Sequence, residues 1–96
     1  KDWERDYSKI ARSKAEVAWR TKMDSGLVTA RFPHLLRLGD AKYRGGVFAH
    51  GIAIGTSGVQ SYWDEMFARW IADAYAALAL RQFEEVALAD KEHDFI

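Results

Sequence analysis

His50 and Asp64 are the side chains of this chain best suited to moving a proton. An imidazole beside Gly51 sits where a loop histidine can act as general base or metal ligand; the same residue also reads as an exposed turn histidine. Asp64 and Glu65 offer carboxyls for acid–base work, and Asp64 also completes a Ser61-x-x-Asp64 capping box. Tyr43 and Arg44 stand directly before Gly45 and Gly46, and charge at a glycine turn often meets a ligand. Gly45, Gly46 and Gly58 would let a ligand approach the backbone, or serve turn geometry alone. His34, after Pro33, could face the same cavity or simply end a helical turn. Arg12 and Lys14 could hold a carboxylate, yet as solvated helix residues they need no such job. His93 falls in a polar tail. There is no Gly-x-Ser-x-Gly elbow, Walker loop or His-Glu-x-x-His. Ser57 has no base placed next to it, and no metal-ligand set is read from the sequence.

The elements that must position these groups centre on GGVFAHGIAIGTSGVQSYWD, residues 45–64. Short alternating runs predict a hairpin, with strands at 47–49 and 52–56 and His50-Gly51 at the turn. Ser61 then opens a helix, and a strand–loop–helix of this kind leaves amides free to line a small-molecule pocket. Upstream, Trp3, Tyr7, Ile10, Ala11, Val17 and Ala18 recur at helical spacing from Asp2 to about Lys22. Asp2 or Asp6 would cap that helix, and Asp24-Ser25-Gly26 would stop it or cap the next piece. Leu27 to Leu38 predicts a short helical or irregular segment with a fresh turn at Pro33, followed by a polar loop from Asp40 to Gly46.

No Gly or Pro follows Ser61. Trp63, Met66, Phe67, Trp70, Ile71, Ala74 and Leu78 form a helical stripe suited to core or interface packing. Unbroken to Asp90, that helix would be roughly 40 Å long. It would bend or project onto a partner, with an extension from about residue 80 to 96. A lone two-stranded hairpin is marginal and leaves two open edges. A second chain, an oligomer mate or a missing N-terminal segment is expected to complete the sheet.

The 96 residues make one domain. Lys+Arg and Asp+Glu both number 14, which argues against a nucleic-acid partner and against electrostatic attraction to an anionic membrane. No apolar run reaches bilayer length, since Arg69 and Asp73 break the most apolar segment. The absence of cysteine excludes disulfide, thiolate and Cys-zinc chemistry within the chain. A reducing, cytoplasmic setting fits, and no secretory signal pattern opens the sequence. The first residue is Lys1, which suggests a processed product or missing upstream residues.

Two segments carry a family resemblance. IARSKAEVAW at 10–19 resembles the Ala-Arg-x-Lys-Ala helix of the GlcG/HbpS-like proteins, often called haem-degrading or haem-binding. GGVFAHGIAIGTSGVQSYWDE at 45–65 resembles that family's Gly-Gly segment, final strand and Ser-Gly–spacer–Asp-Glu helix start. Their order and the Ser57-to-Asp64 spacing agree with the family's, and Ser25 falls where it often has Thr or Ser. The resemblance implies a profilin-like α/β (α+β) fold, an antiparallel sheet with packed helices, in dimers or larger oligomers. It implies haem as a cofactor, with His50 or His34 near it and Lys14 or Arg12 meeting a propionate. Members begin with a helix and a strand hairpin before the Lys-Ala helix, and this chain lacks them. The Gly-Gly to Ser-Gly connection is shorter here, and the usual Pro is replaced by Phe48 or Ala49.

Three readings follow. The first is a small-ligand-binding protein of this type, binding or modifying haem within an oligomer. The second is a cofactor-free enzyme or subunit acting on a small organic acid or carbonyl compound, using His50, Tyr43, Arg44 and Asp64. The third is a structural assembly subunit without ligand.

Overall fold

The computed structural model describes residues 6–89. Trp3, the Asp2 cap and His93 lie outside the described residues. The first helix, α1 (Tyr7–Thr21), is capped by Asp6, whose carboxylate accepts from the Lys9 amide at 3.0 Å. It ends at Lys22 in the left-handed conformation (φ 59°). The segment expected to be helical or irregular divides into α2 (Ser25–Arg31) and one 3-10 turn at Pro33–Leu35. Pro33 starts that turn because its missing N–H costs nothing at a first helical position.

Next come β1 (Gly46–Ala49) and β2 (Ile52–Gly55), paired antiparallel with Val47 opposite Ile54 and Ala49 opposite Ile52. The strand limits differ from the sequence expectation by one residue, and the turn falls on His50-Gly51 as expected. Both turn residues have positive φ, 56° and 76°. That pair suits a two-residue hairpin, whose twist matches that of the strands. The last element, α3 (Ser61–Ala89), runs 29 residues, about 43 Å at 1.5 Å per residue.

The chain is therefore a mixed α+β fold, an antiparallel sheet with packed helices. Strand side chains alternate between faces. Gly46, Phe48, Ala53 and Gly55 share the face that α1 covers. There the helix backbone rides on the strand backbone: a Cβ on Gly46 would lie 2.2 Å from the Lys14 carbonyl oxygen, and one on Gly55 2.0 Å from that of Ala11. Trp19 tilts onto Phe48 at 6.2 Å between ring centroids. Val47, Ala49, Ile52 and Ile54 take the other face, against α3. The core comprises Val17, Ala18, Val28, Val47, Ala68 and Ala72.

The aromatic stripe of α3 is not core. The helix buries Asp64, Ala68 and Ala72 and leaves Trp63, Phe67, Trp70 and Ile71 exposed. Small side chains win the inner face because they let a helix lie close to a strand pair. Among the described residues beyond Ala72, only Ala76 and Ala87 are even half-buried. The molecule measures 58 × 30 × 18 Å with a radius of gyration of 16.7 Å. A compact chain of this length would have about 12–13 Å, so α3 projects as its length predicted.

Candidate functional site

The site grows from a buried ion pair. Lys14 lies on the inner stripe of α1 with Val17 and Ala18, so its ammonium is carried under the hairpin. Its Nζ donates to the Thr56 carbonyl at 3.1 Å and to Asp64 Oδ2 at 3.3 Å. The two side chains are only 3% and 4% exposed. Thr56 Oγ1 donates to the Asp64 carbonyl, and Asp64 Oδ1 accepts from the Val59 amide at 3.3 Å. The pair thus ties α1, the end of β2 and the head of α3 together.

Gly45 makes room for it. The residue has φ 126°, and a Cβ there would stand 2.9 Å from Lys14 Nζ and 2.7 Å from the Thr56 oxygen. No side chain fits that space, and few residues other than glycine tolerate that φ.

Over this pair opens a cleft of about 340 Å³. Tyr7, Tyr43, Ser57 and Gln60 line it together with Lys14 and Asp64. Hydroxyls and an amide therefore share the cleft with the charged pair. Ser61, the first residue of α3, also lines the cleft. The helix's first amides lack intrahelical acceptors and give that end a partial positive charge. Such a cleft can hold a small molecule that both accepts and donates hydrogen bonds, with an oxyanion favoured near the helix head.

The capping of α3 differs from the sequence reading. The helix starts at Ser61 itself, with the Asp64 amide donating to the Gln60 carbonyl at 2.9 Å. Asp64's carboxylate reaches back to Val59 rather than forming a reciprocal box with Ser61.

The candidate residues divide between several places. Tyr43 and Asp64 meet at the cleft, with Gly45 packed beneath it; Gly46 lies against the Lys14 carbonyl. Gly58, with φ 132°, turns the loop before α3 in open space. Arg44 points away, and its Nη1 bonds Glu65 Oε1 at 3.1 Å. His50 sits at the hairpin tip with Nε2 2.8 Å from Asp73 Oδ1. Asp73 is nine residues beyond Asp64 on α3, about 13 Å along the axis, so the structure does not bring His50 to the cleft. His34 lies in the 3-10 turn, edge-on to Phe32 at 6.3 Å between centroids. It borders a separate depression with Arg20 and Arg37.

Lys14, a candidate for holding a carboxylate but expected to be solvated, is instead buried and already paired. Thr56 carries no sequence signal, since it acts partly through its backbone oxygen.

Two further charged pairs serve the fold. Arg69 Nη2 bonds Asp24 Oδ2 at 2.6 Å, and that hydrogen bond raises the arginine's pKa above its ordinary value despite burial. Burial pushes the Asp40 carboxyl up, but hydrogen bonds from Arg20 at 2.7 Å and the Arg37 amide at 2.6 Å outweigh it and hold its pKa below 3.8.

Neither His34 nor His50 lines the cleft, so an axial haem ligand from its wall would have to be a tyrosine, Tyr7 or Tyr43. Among the described residues no cluster of three or more His, Asp or Glu could hold a metal ion. Among them also, no helix is long and apolar enough to cross a membrane. No family model matches this chain, and neither a curated protein nor a solved structure matches it at a significant level.

Proposed function

We propose that the chain is a small-ligand-binding protein of the GlcG/HbpS-like type that takes a small organic acid in the Lys14–Asp64 cleft and works in an oligomer. The carrying observation is the buried ion pair beneath an open polar cleft. Desolvating two charges costs several kcal/mol per ion, and their attraction seldom yields net stability over an apolar replacement. A pair held in the lining of a cleft is better explained by what it does for a ligand. Lys14 has a third N–H beyond its two bonds. With the tyrosine hydroxyls and the head of α3, it would meet a carboxylate, while Asp64 keeps the ammonium in place. The haem version of this reading rests on the family resemblance.

The test is a thermal-shift panel of small carboxylic acids and carbonyl compounds, with hemin alongside. A ligand at about 100 times its Kd adds about 2.7 kcal/mol. That is a rise of roughly 10–20 °C for a domain this small. Tyr43→Ala should shrink the shift without unfolding the protein, because Tyr43 is exposed. A Soret band on adding hemin would support the haem version. No shift with any acid would reject the organic-acid version.

A further inference from the structure

The two edges of the hairpin are finished differently. The Thr56 amide donates to the Gly45 carbonyl at 3.0 Å, which continues the ladder set by the Ala49–Ile52 and Val47–Ile54 pairs. The backbone groups of residues 46, 48, 53 and 55 therefore point outward. On β1 the outward amides are already used. Gly46 donates to Ser25 Oγ at 2.9 Å and Phe48 to Asp24 Oδ1 at 3.0 Å. On β2, among the described residues, no hydrogen bond reaches the outward amides of Ala53 and Gly55.

Helix α3 shows the same asymmetry in three adjacent rows of its surface, each with a four-residue step. The middle row, Asp64, Ala68 and Ala72, is the buried one. The row beside it, Glu65, Arg69 and Asp73, reaches Arg44, Asp24 and His50, all on the β1 side or at the hairpin tip. The opposite row therefore lies on the β2 side. It holds Trp63, Phe67 and Ile71, which are 48%, 39% and 48% exposed. An apolar flank thus overhangs an open strand edge.

We propose that this edge pairs with the same edge of a second copy, β2 against β2, antiparallel about a twofold axis at Ile54. Ala53 then faces the partner's Gly55, and Gly55 faces the partner's Ala53. Every outward amide of the two strands finds a carbonyl, and a continuous four-stranded sheet results. The helix spacing closes as well. Strands lie 4.7–4.9 Å apart, so two strands per copy set the two α3 helices about 9.6 Å apart, inside the 8–10 Å range of packed helices. The Trp63–Phe67–Ile71 rows then meet across the axis with no like charges among them. On the other face the half-buried Ala11 and Ala15 lie above Gly55 and leave room for the partner's α1. The inference rests on the oligomer part of the reading above and is independent of the ligand.

Sedimentation equilibrium tests it with wild type, Ala53→Pro and Phe67→Glu. Proline at 53 removes an outward donor and no ladder bond within the chain. Wild type should sediment at twice 11.0 kDa, and Phe67→Glu, on an exposed helix surface, should weaken the dimer about tenfold or more with an unchanged circular dichroism spectrum. Ala53→Pro should do the same. If the proline variant fails to fold, hydrogen exchange of wild type decides: protection of the Ala53 and Gly55 amides should rise with protein concentration. A wild-type monomer at high micromolar concentration would overturn both the pairing and the oligomer reading. A dimer unaffected by either substitution, or exchange at Ala53 and Gly55 that ignores concentration, would overturn the pairing alone.

Discussion

The two faces of the hairpin meet their helices in different ways. On the α1 face, glycine brings backbone against backbone, and the spaces at Gly46 and Gly55 admit no side chain. On the α3 face, side chains do the packing: Val47 and the isoleucines on the strands, and the buried Ala68 and Ala72 on the helix. The first contact is unforgiving because main-chain atoms cannot turn aside. The second can repack, since side chains change rotamer at modest cost. Lys14 crosses this division: it belongs to α1 but finds its counter-ion on α3.

Removing that link should have the largest effect. Lys14→Met leaves Asp64 buried without its cation, and urea unfolding should show a loss of about 3–5 kcal/mol. The double variant Lys14→Met, Asp64→Leu should recover most of it, which a double-mutant cycle reads directly. Next comes the contrast itself. Gly55→Val should cost about 3 kcal/mol through overpacking, whereas Val47→Ala on the other face should cost about 2 kcal/mol through a cavity. Equal tolerance at both positions would break the comparison.

The smallest effect concerns the anchor of α1's last turn, Arg20 to Asp40. Asp40's folded pKa is depressed, so its contribution is complete above its unfolded value near 4. That contribution fades as pH falls through the lower folded value. Thermal melts from pH 6 to pH 3 should be flatter for Asp40→Asn than for wild type.

The hairpin was legible because alternation and a two-residue turn are local signals, and His50-Gly51 sits where they place it. Ser61 likewise announces a helix start, and of the two caps open for the first helix, Asp2 or Asp6, Asp6 is the one that caps α1. Side selection on α3 was not legible. Periodicity groups Trp63, Phe67 and Trp70 together, but it does not say that Ala68 and Ala72 approach the strands instead. Lys14 falls at helical spacing from Ile10, Val17 and Ala18, yet a helix lysine reads as solvated until its partner is known. Nothing local points to Asp64, 50 residues away. Asp24 was legible as the residue that caps the next helix, but it was not legible that its carboxylate leaves that helix to serve Phe48 and Arg69.

One helix therefore carries two stabilities. Amides from Asp64 to Ala72 lie over the core and can exchange their hydrogens only when the whole domain opens. Those from Tyr75 onward belong to turns whose side chains are almost all exposed, so they can exchange by local fraying. A native-state exchange profile along α3 should step between these regions. A protease should trim the helix from its far end and leave the hairpin and the Lys14 cleft intact.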